Sequence, residues 1–292
     1  MHNQSQPDNQ RKLKTIKVLS SIRNLPSVPA ITYEVSKLLN NSKTSASDLG
    51  NVISHDQGLV TKILTVANSP LYGLPRRVST IDFAIVILGF DHIKNIVIAL
   101  SMLESFRSSQ KDNWDSQSYL NHSLFTASAA KRIADEIGYP KPGEVFTAGL
   151  LHDIGIILIQ KYFNKEFNLI CETVEAQQML YLKAEEIVLG LTHQEMGQYL
   201  MNQWNFPESL GDSIAHHHRP SESLSNKVLA SIIHLADYMT QSLGAGFFYW
   251  DENIQLDENI IQILKFGDEM RLNNFIDSHI ELFNNQAESI II

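Results

Sequence analysis

The chain has 292 residues, 43% hydrophobic and 19% charged, with a formal net charge of −9 at pH 7. That is ordinary globular composition, long enough to bury a sizeable core, and its acidic balance disfavours general binding to phosphate backbones. A single cysteine, Cys171, argues against a disulfide framework, and with no signal-like N-terminus and no apolar run long enough for a bilayer, a cytoplasmic protein without membrane contact is expected.

Residues 1–14 are polar and are expected to form a disordered tail. Helical spacing then takes over: Val35, Leu38 and Leu39 form one apolar face, Leu49, Val52 and Ile53 another, and Leu59, Ile63, Leu64 and Ala67 a third. The segments Leu25-Pro26-Ser27-Val28-Pro29 and Asn68-Ser69-Pro70-Leu71-Tyr72-Gly73 punctuate them as turns. Residues 81–106 read as two helices broken near Gly89, and the polar stretch 107–118 is the best lobe boundary. No alternating strand pattern is visible, so the expected class is all-α. The expected parts are an N-terminal helical lobe over 15–112, a second lobe over 113–240, and a C-terminal helical extension over 241–292, helical around 260–265 and 275–283.

The chemistry is carried by polar residues on apolar faces. From Gly143 to Phe163 apolar residues cover nearly every face of a helix, so that helix is buried all round. His152 and Asp153 sit in its middle. An unpaired buried carboxylate costs several kcal/mol or loses its charge, so a metal, a cation or a hydrogen-bond network is needed there. His122 shares a face with Phe125, Ala129 and Ile133, and a lone histidine on such a face is more often a core residue than a ligand. Asp237 lies one turn beyond Ile233 in an apolar segment, a second acid facing inward, while His234 could share its face or merely pack. Among His216, His217 and His218, the last two continue the stripe of Leu210 and Ile214, and His216 falls toward solvent. Thr192-His193-Gln194-Glu195 fits a capping box with Thr192 as N-cap, which puts His193 in a first helical turn where the positive helix end disfavours its protonation. Together these are five inward or poised histidines and two inward acids. Imidazole plus carboxylate suits Fe, Mn, Zn or Ni, and seven groups are too many for one ion but suit two. The alternative of histidines and acids that merely satisfy each other stays open at this point.

The order His122, His152-Asp153, Asp237 resembles the H…HD…D pattern of the HD phosphohydrolase superfamily. Ala148-Gly149-Leu150-Leu151-His152-Asp153-Ile154-Gly155, Leu191-Thr192-His193-Gln194-Glu195-Met196-Gly197, Trp204-Asn205-Phe206-Pro207 and His217-His218-Arg219-Pro220 resemble its HDOD branch. So do the two N-terminal turns above and Ala84-Ile85-Val86-Ile87-Leu88-Gly89. The resemblance covers about residues 19–237. It implies a two-lobed all-helical fold, with an N-terminal helical lobe packed on an HD-type lobe. It further implies a first metal on His122, His152, Asp153 and Asp237, and a second on His193, His217 and His218 bridged by Asp153. His55-Asp56 falls in an N-terminal signature and is a decoy. Two departures bear on activity. Many HD hydrolases carry Lys after His-Asp-Ile-Gly, where this chain has Ile156, and Ser221-Glu222-Ser223-Leu224 stands where the related cyclic-di-GMP phosphodiesterases carry Gly-Tyr-Pro. The resemblance therefore implies a signalling or regulatory module that acts on protein partners in trans, with one or two structural metal ions. The alternative is a phosphohydrolase acting on a nucleotide, cyclic dinucleotide or other phosphoester, in which Asp153 would help activate water.

Overall fold

The computed structural model describes residues 5–22, 25–41, 43–74, 76–106, 114–251 and 254–289. Among them every regular element is helical and no strand occurs, as the absence of period-two alternation requires. After α1 (Ser5–Ser21), the helices α2 (Ala30–Leu39), α3 (Ala46–Ile53), α4 (Gln57–Ala67), α5 (Ile81–Leu88) and α6 (Phe90–Glu104) pack on one another as an N-terminal lobe. Side-chain caps start several of these helices: Ser45 with Asp48 closes a capping box on α3, and Asp56 and Thr80 accept from the third residues of α4 and α5. Gly89, at φ 84°, forms the corner between α5 and α6, which meet at 119°. That φ lies in a region side-chain-bearing residues avoid.

The second lobe holds α7 (Ser116–Ile137), α8 (Pro142–Leu151), α9 (Ile154–Tyr162), α10 (Asn164–Gln177), α11 (Tyr181–Leu189), α12 (His193–Gln203), α13 (Glu208–Ala215) and α14 (Lys227–Ser242). Helix α8 is its axis, packed on α7 and α14 and, across the lobe boundary, on α6. The last three helices are α15 (Ile260–Ile263), α16 (Glu269–Asp277) and α17 (Ile280–Ser289). Helix α15 lies on α14, and α17 reaches back to the turn at Pro70–Tyr72. Pro142–Tyr162 is the one stretch among the described residues apolar and long enough for a bilayer on its own, and 78% of its apolar window is buried within the protein.

Four expectations need correction. The tail is helical from Ser5, because α1 docks on α11: Thr15 Oγ1 donates to the Leu189 carbonyl at 2.7 Å, and Arg11 donates to Ile187. Residues 1–4, and the 107–113 part of the polar boundary, lie outside the described residues. The helix expected over 143–163 is interrupted at His152-Asp153, where the His152 Nδ1 donates to the Gly149 carbonyl at 2.8 Å. The helix expected through His218 ends at Ala215, and the helix expected over 275–283 is split between Asp277 and Ile280.

Candidate metal centre

Three helices and two turns deliver the seven residues to one point. His122 comes from the inner face of α7, beside buried Phe125, Ala129 and Ile133. His152 and Asp153 come from the break between α8 and α9. His193 is the first residue of α12, and the capping box of Thr192 and Glu195 is present in full. His217 and His218 lie in the turn after α13, and Asp237 lies on α14. Six of the seven are fully buried at 0% exposure, and His218 is half-buried.

Glycines allow this approach. A Cβ at Gly149 would sit 2.8 Å from the Ala127 Cα, and one at Gly155 would overlap the His193 carbonyl oxygen. The residues four before and two after Asp153 therefore clasp α7 and α12 against the His-Asp break.

The distances divide the cluster around Asp153. Its Oδ2 lies 3.1 Å from His152 Nε2 and 3.6 Å from His122 Nε2. Its Oδ1 lies 3.4 Å from His217 Nε2 and 3.5 Å from His193 Nε2. Asp237 closes the first side, with Oδ1 3.3 Å from His122 Nε2 and 3.9 Å from His152 Nε2. On the second side, nitrogens of His193, His217 and His218 lie within 4.8 Å of one another, as do ligand atoms of His122, His152 and Asp153. One carboxylate thus faces two groups of imidazoles with its two oxygens.

The outer nitrogens of these rings are committed. Nδ1 of His122 meets the Gly246 carbonyl at 2.8 Å, that of His152 the Gly149 carbonyl at 2.8 Å, and that of His217 the Ile214 carbonyl at 2.7 Å. Nδ1 of His193 meets the Glu185 carboxylate at 2.9 Å. These oxygens only accept, so each Nδ1 carries the proton, and in a neutral ring the Nε2 lone pair points inward. The inward nitrogens then face each other, His122 and His152 at 3.2 Å, His193 and His217 at 3.4 Å. Both oxygens of Asp153 and both of Asp237 are buried with no hydrogen-bond donor. Lone pairs and carboxylates converging in a buried space need positive charge between them, and this donor set fits divalent transition metals.

The electrostatics agree. Burial, and then the charge of His218, push His217 down to about 3, so it is a neutral donor at neutral pH. Burial raises Asp237, but the closeness of His122 and the positive charge that His152 and His122 carry when protonated outweigh it and leave its pKa at about 2. Burial likewise opposes ionisation of Asp153, and His152, His217 and His193 overcome it, holding it well below the usual carboxylate range. Burial lowers His122 and Asp237 more than restores it, so its affinity for a proton rises. The same negative field would attract a metal ion.

Other histidines stay outside. His216 turns away to Asp212, at 3.1 Å, and is only partly buried. His234 is a buried bridge, joined through Nδ1 to the His217 carbonyl at 2.7 Å and accepting from the Asp257 N–H through Nε2 at 2.8 Å. His55 and Asp56 are exposed in the N-terminal lobe, where Asp56 caps α4. Sequence reading missed Glu185, fully buried on α11, which also accepts from the His193 backbone N–H at 2.7 Å and from Trp250 Nε1 at 2.5 Å. Its signal was an acid next to buried Ala184 on the helix face that ends in Leu189. The Gly246 carbonyl on His122 carries no side-chain signal at all.

Comparison with known proteins follows the same lines. The family model of the HDOD domain matches residues 25–220. An HDOD domain protein of unknown function from Geobacter sulfurreducens shares 25% identity, with a TM-score of 0.74 over 97% of this chain and 99% of that one. A protein from Shewanella amazonensis, provisionally named a phosphohydrolase, shares the fold at 22% identity and a TM-score of 0.68, over 93% of this chain and 97% of that one. One from Marinobacter aquaeolei, provisionally named a signal transduction protein, shares it at 21% and 0.70, over 97% of this chain and 65% of that one. An uncharacterized protein of Treponema pallidum (strain Nichols) is 24% identical over 259 residues, which are 87% of this chain, and the chain spans about half the length of that curated relative.

Proposed function

The chain belongs to the HDOD domain family, and on that premise we propose that it is a signal-transduction module that acts through protein partners, with its His/Asp cluster holding one or two divalent ions as part of the fold. The carrying observation is a ligand set kept whole while the substrate-handling cation is gone. The inward imidazoles and carboxylates converge as described, yet position 156 holds an isoleucine at 0% exposure in the core of α9. An alkyl side chain can neither neutralise a phosphate nor donate a proton to a leaving group.

His122, His152, Asp153 and Asp237 would hold one ion, and His193, His217, His218 and Asp153 the other. Fe, Mn, Zn and Ni all suit this mixed donor set. A bound ion would cancel the negative field of the two acids and stabilise the native state. The carbonyls of Gly246, Gly149 and Ile214 and the Glu185 carboxylate orient the rings. Partner contact is supported by α5, where Phe83, Val86 and Ile87 share one face and are 39%, 68% and 43% exposed. An apolar face of this kind suits protein contact.

A second reading, a metal-dependent phosphohydrolase, is favoured by one observation: a cavity of about 260 Å³ opens beside His218. In that reading the ions would activate water and polarise a phosphoryl oxygen. Asp153 would orient the histidines on both its sides, and the cavity would admit a nucleotide or other phosphoester.

Elemental analysis of untagged protein, purified without chelator, tests the metal. One to two equivalents of a transition metal are expected, and a folded protein with none refutes the metal reading. A phosphoester screen with added Mn or Fe tests the choice between readings. Turnover that Asp153→Ala abolishes in a folded protein would establish the hydrolase instead.

A further inference from the structure

The cavity beside His218 has a wall and a pole. Tyr181, Tyr249 and Trp250 form much of the wall with Met179, while His218 and Arg219 stand at the polar end. The rings pack on one another: Tyr181 lies 4.4 Å from Trp250 at 30°, and 5.6 Å from Tyr249, edge to face, at 62°. Trp250 is fixed from behind, stacked on Phe167 at 4.9 Å and donating to Glu185. The wall is therefore held in place before anything enters. At the other end, Arg219 is 63% exposed, and its ion pair among the described residues is a loose one, 4.0 Å from Glu222. Pairs of that kind are worth little, so the guanidinium is available to an anion that offers two oxygens.

We propose that this cavity binds a small molecule with a flat aromatic ring carrying an anionic group, the ring against Tyr181, which Trp250 backs, and the anion on Arg219 beside His218. The inference deepens the reading above and rests on it for the second attraction at the anionic end, the metal-type pole behind His218. Size and chemistry both constrain the ligand. About 260 Å³ is near the small end of ligand pockets, enough for a ring with one substituent such as a sugar phosphate and too small for a macromolecule. Stacked aromatic walls favour a π-face over an alkyl chain. Through His218 the ligand would touch the cluster's one half-buried residue, so its binding would be felt at the buried centre.

Isothermal titration calorimetry of the full chain tests this with four probes: AMP, adenosine, inorganic phosphate and hexyl phosphate. AMP is expected to bind at least tenfold more tightly than adenosine or hexyl phosphate, with inorganic phosphate undetectable. Arg219→Ala, a surface change that should leave folding intact, is expected to bring AMP down to the level of adenosine. Tyr181→Ala is expected to weaken AMP and adenosine by the same factor. Absence of AMP binding at millimolar concentration, equal binding of hexyl phosphate, or an Arg219→Ala variant with undiminished affinity would each overturn the proposal. Metal content measured on the same samples separates the two claims. AMP binding by metal-free protein keeps the pocket and removes the metal, and metal-loaded protein that ignores all four probes does the reverse.

Discussion

Replacing Glu185 by glutamine changes one atom in a fully buried side chain, and its cost can be counted. The carboxylate accepts three N–H groups: the His193 backbone at 2.7 Å, His193 Nδ1 at 2.9 Å and Trp250 Nε1 at 2.5 Å. Glutamine offers one oxygen and an NH₂ group, so at least one of the three donors must face another donor. A buried donor left without a partner costs about 1–3 kcal/mol. His193 also loses the charge that fixes its tautomer, and an outer partner of this kind is typically worth about 10–100-fold in metal affinity. Glu185→Gln should therefore lose about 1–3 kcal/mol of stability in urea at neutral pH, measured on chelator-treated protein, and bind zinc about 10–100-fold more weakly in a competition titration. Glu186→Gln, a half-buried neighbour on the same helix paired with Lys183 at the surface, is the control and should stay within about 0.5 kcal/mol of wild type. A Glu185→Gln variant that matches its control in both assays would show that the Glu185–His193 contact orients nothing.

Asp237→Ala should lower bound metal by elemental analysis while circular dichroism stays helical, and unchanged stoichiometry in a folded variant would remove Asp237 from the ligand set. Gly155→Ala should be severely destabilised in thermal denaturation, because its Cβ would overlap the His193 carbonyl and α9 could not stay against α12; a wild-type melting curve would refute that close approach. His92 gives a test in the N-terminal lobe, away from the cluster. Its Nε2 lies 2.6 Å from the Tyr72 hydroxyl, and burial, followed by the charge of Lys131, pushes it down to about 3. Below about pH 6.5 the unfolded chain binds a proton that the folded chain refuses, so stability falls as pH drops from about 6.5 toward 3. The loss from this one residue is about 2 kcal/mol at pH 5. His92→Gln should remove that share of the decline between pH 7 and pH 5, and an unaltered slope in urea titrations would count against it.

Much of the site was legible because each member is polar on an apolar face. His122 amid Phe125, Ala129 and Ile133, and Asp237 beyond Ile233, could be read by helical spacing alone, and all are buried where that spacing puts them. What was not legible depends on distant parts of the chain. Helix α1 has only Thr15 and Leu19 buried among residues 9–21 and shows no apolar stripe. It is held by hydrogen bonds to carbonyls more than 170 residues away, which no local pattern encodes. The break at His152-Asp153 was hidden for a related reason. Apolar residues on all sides indicate a buried helix, and they fit two short buried helices that follow one another across a two-residue break equally well.

That break explains why two close-packing glycines and the ligands share one short stretch of sequence. For one carboxylate to face imidazoles on both sides, α7 and α12 must both approach the same turn, closer than two ordinary helix surfaces allow. Gly149 admits the α7 backbone at Ala127, and Gly155 admits the carbonyl of His193 at the start of α12. A side chain at either place would separate Asp153 from one group of histidines before it disturbed any ligand directly. The run Gly149-Leu150-Leu151-His152-Asp153-Ile154-Gly155 is thus both a packing device and a chemical one. Substitutions at its glycines should move the inward nitrogens apart even though neither glycine contributes an atom to the centre.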